Sequence, residues 1–129
     1  MFKDTHAFSG FAVKDLAAAK KFYSEVLEVP VEDRGAMGIT LKLAGGNTVF
    51  VYPKADHVPA TYTILNFLTH DIDVSVDEMT AKGIVFEKYP SMTYQDEKGV
   101  ARGIKANMGP DIAWFKDPSG NILSVLQDK

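Results

Sequence analysis

His6, His57 and His70 are the chain's three histidines, and cysteine is absent. Imidazole, thiolate and carboxylate are the usual ligands of a first-row metal, so spacing decides whether a metal motif is present. No pair of histidines shows the short spacing of a recognisable motif. His57 stands beside Pro59 and His70 abuts Asp71, which reads as surface or edge imidazoles. Glu87, Asp96, Glu97 and Asp111 are acids of the kind that serve as general bases, although isolated loop acids are mostly solvated surface. A Gly-rich phosphate loop ending in Lys-Ser/Thr, a G-x-S-x-G elbow and a paired-histidine helix are all missing. Gly45-Gly46-Asn47 reads as a hairpin turn. Without cysteine there is no disulfide framework, zinc–thiolate centre or thiol nucleophile, and a reducing cytoplasm is the expected compartment.

The elements that must position these residues follow from periodicity. The chain has 129 residues, 46% of them hydrophobic, which is enough for one domain with a real core. A formal charge of −3 and no basic cluster beyond Lys20-Lys21 argue against a nucleic-acid surface. No long apolar segment marks a signal peptide or membrane span, so no membrane partner is expected. Leu16, Ala19, Phe22, Tyr23, Val26 and Leu27 form one helical stripe that Asp15 is placed to cap, and Lys21 and Glu25 form a solvated pair at four-residue spacing. A second, weaker helix starts near Asp71, with Asp73 or Ser75 as cap, Val76 and Met79 inward, and Gly83 as stop. Strands are expected at Ile39–Leu43, Thr48–Tyr52, Ile84–Tyr89 and Ile112–Phe115, and in the apolar run from Ile122 after the turn Asp117-Pro118-Ser119-Gly120-Asn121. The stretch from Ser91 to Gly109 reads as an expanded loop: a lid, a partner contact or a mobile insertion.

Phe11-Ala12-Val13-Lys14-Asp15-Leu16 has a counterpart in Phe67-Leu68-Thr69-His70-Asp71-Ile72, so the chain reads as a weak internal duplication. Together with Phe22-Tyr23, Leu27 and the Asp-Pro-Ser-Gly-Asn turn, it resembles the vicinal oxygen chelate superfamily, the glyoxalase/bleomycin-resistance/dioxygenase group. One departure is Glu28, where that family often has glycine. The resemblance implies an α+β fold of two tandem βαβββ modules, a curved, cleft-bearing sheet with helices on its outer face. Module one would span about 5–53, the linker about 54–61 and module two about 62–128. It also implies a homodimer.

In that family each module supplies one metal ligand from its first strand and one from its last. Here those positions fall on Phe8, Ile64, Phe50 and Ser124, and three hydrocarbons with one hydroxyl cannot hold a divalent metal. No metal or other cofactor is therefore expected, a shifted site including His6 remaining the exception. Strand alternation then places Tyr52 with Phe50, Tyr62 and Asn66 with Ile64, and Trp114 on the same side. The ligand-binding set is Phe8, Phe50, Tyr52, Tyr62, Ile64, Asn66, Trp114 and Ser124, lining either an aromatic groove or a core that Phe8 and Phe50 fill. Two classes of function stay open. One is metal-free binding of a planar or aromatic small molecule. The other is a lyase or dioxygenase-type enzyme with a displaced metal or with acid/base chemistry from a loop carboxylate. A degenerate scaffold kept for protein interaction is a third possibility.

Overall fold

The computed structural model describes all 129 residues, Met1–Lys129. Its elements are β1 (Ser9–Val13), α1 (Leu16–Lys21), β2 (Val31–Asp33), β3 (Ile39–Lys42), β4 (Thr48–Pro53), β5 (Thr63–Leu68), α2 (Ile72–Ala81), β6 (Ala101–Arg102), α3 (Gly103–Ala106), β7 (Asp111–Lys116) and β8 (Ile122–Gln127). The strands form two four-stranded sheets, ordered β1-β4-β3-β2 and β5-β8-β7-β6. In each, the first strand runs parallel to the last, which requires a crossover, and the remaining pairs are antiparallel. This is the expected α+β fold of two βαβββ modules, with one sheet per module. The chain divides into two compact units, Met1–Pro59 and Ala60–Lys129. No helix is long and apolar enough to cross a membrane.

In the first unit Asp15 caps α1 as expected, its Oδ1 accepting from the Ala18 N–H at 3.0 Å. Ala19 and Tyr23 are wholly buried, and the Tyr23 ring lies 5.9 Å from that of Phe11 on β1. From Phe22 to Val26 the helix widens into a π turn, with Leu27 N–H donating to the Phe22 carbonyl at 3.0 Å. That widening breaks the four-residue geometry expected to pair Lys21 with Glu25; it is Lys20 that meets a carboxylate, Asp33, at 2.6 Å. Glu28 follows with a φ of 57°. This is the left-handed conformation in which glycine is the cheapest residue.

The second unit departs further from the sequence reading. Asp71, and neither Asp73 nor Ser75, caps α2, accepting from the Val74 N–H at 3.2 Å. Ser75 is engaged with the Thr69 hydroxyl at 2.6 Å, and Asp73 stands in the first turn facing Arg102. Ile84–Tyr89 is not a strand. Ile84 and Phe86 are buried and Glu87 N–H donates to the Trp114 carbonyl at 2.8 Å, yet the flanking backbone groups are met by the side chain of Gln95. The fourth strand of this sheet is instead β6, inside the segment expected to be a loop.

That segment is folded and not a mobile insertion: Val100 and Ala101 are wholly buried. Arg102 reaches Asp73 through both Nη atoms (3.1 and 2.7 Å) and Asp96 at 2.9 Å, with Asp111 at 3.7 Å. Lys98 bridges Asp73 and Asp77 at 2.9 Å each. Hydrogen bonds from Arg102 and then Lys98 hold the Asp73 carboxyl well below the usual carboxylate range. At the Asp-Pro-Ser-Gly-Asn turn, buried Asp117 is the hub, its Oδ1 accepting from the N–H groups of Ser119 (2.9 Å) and Asn121 (3.0 Å).

Candidate functional site

Register decides which side chains share a face. In the second sheet Asn66 on β5 lies opposite Ser124 on β8, which lies opposite Trp114 on β7. The alternate residues Leu123, Ala113 and Phe115 are wholly buried on the side where α2 packs against β7 and β8. Asn66, Ser124 and Trp114 therefore form a row on the opposite face, as alternation predicts, with Phe115 in the core.

The indole of Trp114 has a fixed orientation. Its Nε1–H donates to Thr63 Oγ1 at 3.2 Å, although Thr63 is on β5, two strands away. Spanning two strand spacings, about 10 Å, requires the indole to lie across β8. Ser124 on β8 is wholly buried, and its hydroxyl donates to Asn66 Oδ1. Ser124 thus supports Asn66 and does not present its own oxygen outward. With Oδ1 turned to Ser124, the amide N–H groups of Asn66 remain free on the exposed face.

Two residues of this face are absent from the sequence-based set. Thr63 pairs with Ile122 and Leu65 with Leu123, so Ile64 is the extra residue of a β-bulge and simple alternation fails there. Thr63, which bonds the indole, takes the place expected for Ile64, and no local pattern in the sequence announces the bulge. Tyr89 is the second: its ring stands edge-on to Trp114, with centroids 5.5 Å apart and planes at 70°. That is a favoured geometry for an aromatic pair. Burial, and then the nearby Glu87 carboxylate, push the Tyr89 phenol pKa up. Tyr62 precedes β5 and, like Leu68, is largely exposed.

The first sheet has its own exposed-side row, with Gly10 and Thr40 flanking Phe50, and Ala12 beside Tyr52. The Phe50 and Tyr52 rings stack at 6.0 Å and 17°. Phe50 rests against Gly38, where an added Cβ would stand 3.0 Å from its Cζ. Arg34 Nε donates to Thr40 Oγ1 at 3.2 Å. Phe8, ahead of β1, is 72% exposed, so it does not fill a core.

The positions that the family resemblance assigns to metal ligands carry Phe8, Phe50, Ile64 and Ser124. The Ser124 hydroxyl is buried and committed to Asn66, and Thr63, which takes the place of Ile64, is engaged with the indole, so this donor set does not fit a metal. Nowhere do three His, Cys, Asp or Glu side chains converge as a metal site would need, and His6 and His70 are exposed.

The profile of the Glyoxalase/Bleomycin resistance protein/Dioxygenase superfamily matches residues 6–125. Similar solved structures include a glyoxalase/bleomycin resistance protein/dioxygenase from Alicyclobacillus acidocaldarius (20% identity, 99% of this chain and 95% of that one, TM-score 0.69). An antibiotic-binding protein from Streptomyces sp. CB03234 is similar over 98% of both chains (18% identity, TM-score 0.64). A genomically encoded fosfomycin resistance protein from Listeria monocytogenes is similar over 98% of this chain and 94% of its own (12% identity, TM-score 0.67). No curated protein matches the chain.

Proposed function

This chain belongs to the Glyoxalase/Bleomycin resistance protein/Dioxygenase superfamily, and from that premise we propose that it binds a planar, largely apolar small molecule without a metal. The observation that carries the reading is the second sheet's open face. There an indole is held across β8 by Thr63, and beside it an asparagine amide has its donors free. A pre-positioned aromatic surface with one placed polar group is the usual composition of a small-molecule site. Phe50 and Tyr52 give the first unit a stacking surface of the same kind. A structural neighbour named as an antibiotic-binding protein supports a binding role. We place the protein in the cytoplasm as a homodimer; light scattering giving the mass of one 14.2 kDa chain at micromolar concentration would contradict the dimer.

The test is a screen of aromatic metabolites and planar antibiotics, read by the fluorescence of the chain's one tryptophan and by thermal shift. A true ligand changes the Trp114 emission, and Trp114→Ala abolishes its binding. Asn66→Leu in a Ser124→Ala background, which leaves no buried hydroxyl orphaned, weakens binding by roughly 1–3 kcal/mol. Elemental analysis after dialysis against Zn, Ni, Mn and Fe is expected to find no stoichiometric metal. One metal per chain would overturn the metal-free reading and return the enzyme alternative to first place.

A further inference from the structure

Three backbone groups from two stretches, 87–89 and Gly99, meet on the side chain of Gln95. Its Nε2 donates to the carbonyls of Glu87 and Gly99, both at 2.8 Å, and its Oε1 accepts from the Tyr89 N–H at 2.8 Å. Both amide hydrogens are used and the oxygen is engaged, so the side chain has one settled orientation. The stretch it holds is also tied to β7, because Glu87 N–H donates to the Trp114 carbonyl. Gln95 itself stands on a firm base. The Asp96 carboxylate accepts from the N–H groups of Lys98 and Val100 and from Arg102, which grips Asp73 on α2. The ring delivered by this arrangement is Tyr89, edge-on to the indole.

We infer that Tyr89 is a ligand-contacting wall and Gln95 its positioning residue. By anchoring the backbone at 87 and 89, Gln95 sets the tyrosine against Trp114 without touching the ligand itself. The surface is then an aromatic corner made of an indole face and a tyrosine ring, with the free Asn66 donors on the far strand. It suits a rigid planar aromatic bearing a carbonyl or carboxylate oxygen, and it disfavours a long flexible chain, which loses more conformational freedom on binding. This rests on the small-molecule reading above, but the positioning can be tested without any ligand.

The single indole N–H gives one cross-peak in a proton–nitrogen spectrum, and acrylamide quenching reports its cover. Gln95→Leu is expected to move the cross-peak, raise the quenching constant about twofold, and weaken 2-naphthoate binding about twofold to tenfold, the range set by one lost aromatic pair. Tyr89→Ala should reproduce all three effects, and Glu97→Gln on the same segment should produce none. A Gln95→Leu protein with an unchanged cross-peak and quenching constant overturns the positioning role. If both change but the wild-type protein does not bind 2-naphthoate, the positioning stands and the ligand wall falls together with the binding reading. Where Gln95→Leu fails to fold, Tyr89→Ala carries the test: an unchanged 2-naphthoate affinity overturns the wall.

Discussion

In the first unit the exposed aromatic surface is made possible by backbone. Phe50 lies against Gly38, whose φ is +146°, and a methyl group there would stand 2.2 Å from the Val51 carbonyl oxygen. In the second unit the surface is held by side chains: Thr63 on the indole nitrogen, Ser124 on Asn66, and Gln95 behind Tyr89. The two units share a strand plan and a face parity, yet they fix their aromatics by different physics. Close backbone approach tolerates no added atom, whereas a set of hydrogen bonds and ion pairs can be weakened one member at a time.

The largest expected effect breaks the first unit. Gly38→Ala must push the Val51 carbonyl and the Phe50 ring aside, costing about 3 kcal/mol or more in urea unfolding. A cost below about 1 kcal/mol would mean that close packing at Gly38 is not what places Phe50. The next effect falls on the second unit. Arg102→Met leaves the carboxylates of Asp73, Asp96 and Asp111 without their shared cation. For partly exposed groups that loss is about 2–3 kcal/mol. Acid sharpens this prediction. The folded pKa of Asp73 is depressed, so its contribution is fully present above its unfolded value and is lost as pH falls through the folded one. The gap between wild type and Arg102→Met should therefore narrow from about pH 5 toward about pH 2. A gap that is constant with pH would assign the loss to packing of the arginine stem. The smallest effect returns to backbone. Glu28 is a glutamate in the left-handed region, so Glu28→Gly relieves its strain. The same change frees the unfolded chain, leaving a net gain of roughly 0.5 kcal/mol in urea unfolding. A net loss would show that the glutamate side chain contributes more than its backbone costs.

Much of the fold is legible in local residues. Asp15 as a cap, Gly83 at φ +93° as a stop and the hairpin at Gly45-Gly46 all depend on groups a few residues apart. Alternation likewise put Asn66, Ser124 and Trp114 on one face and Phe115 in the core, because strand parity is a property of the chain itself.

What only the tertiary structure decided lies where distant strands meet. The bulge at Ile64 depends on how β5 seats against β8, and it puts Thr63, 51 residues from Trp114, where it meets the indole nitrogen. Ile84–Tyr89 has the apolar content of a strand, but its neighbouring backbone groups found the Gln95 amide, while Ala101 and Arg102 took the sheet edge. Asp71 displaced Asp73 as the cap of α2, leaving Asp73 to Arg102, 29 residues on. Periodicity and capping preferences act over one or two turns of chain. The choice among competing hydrogen-bond partners is made by whichever groups folding brings within about 3 Å, and that competition is not written in any local pattern.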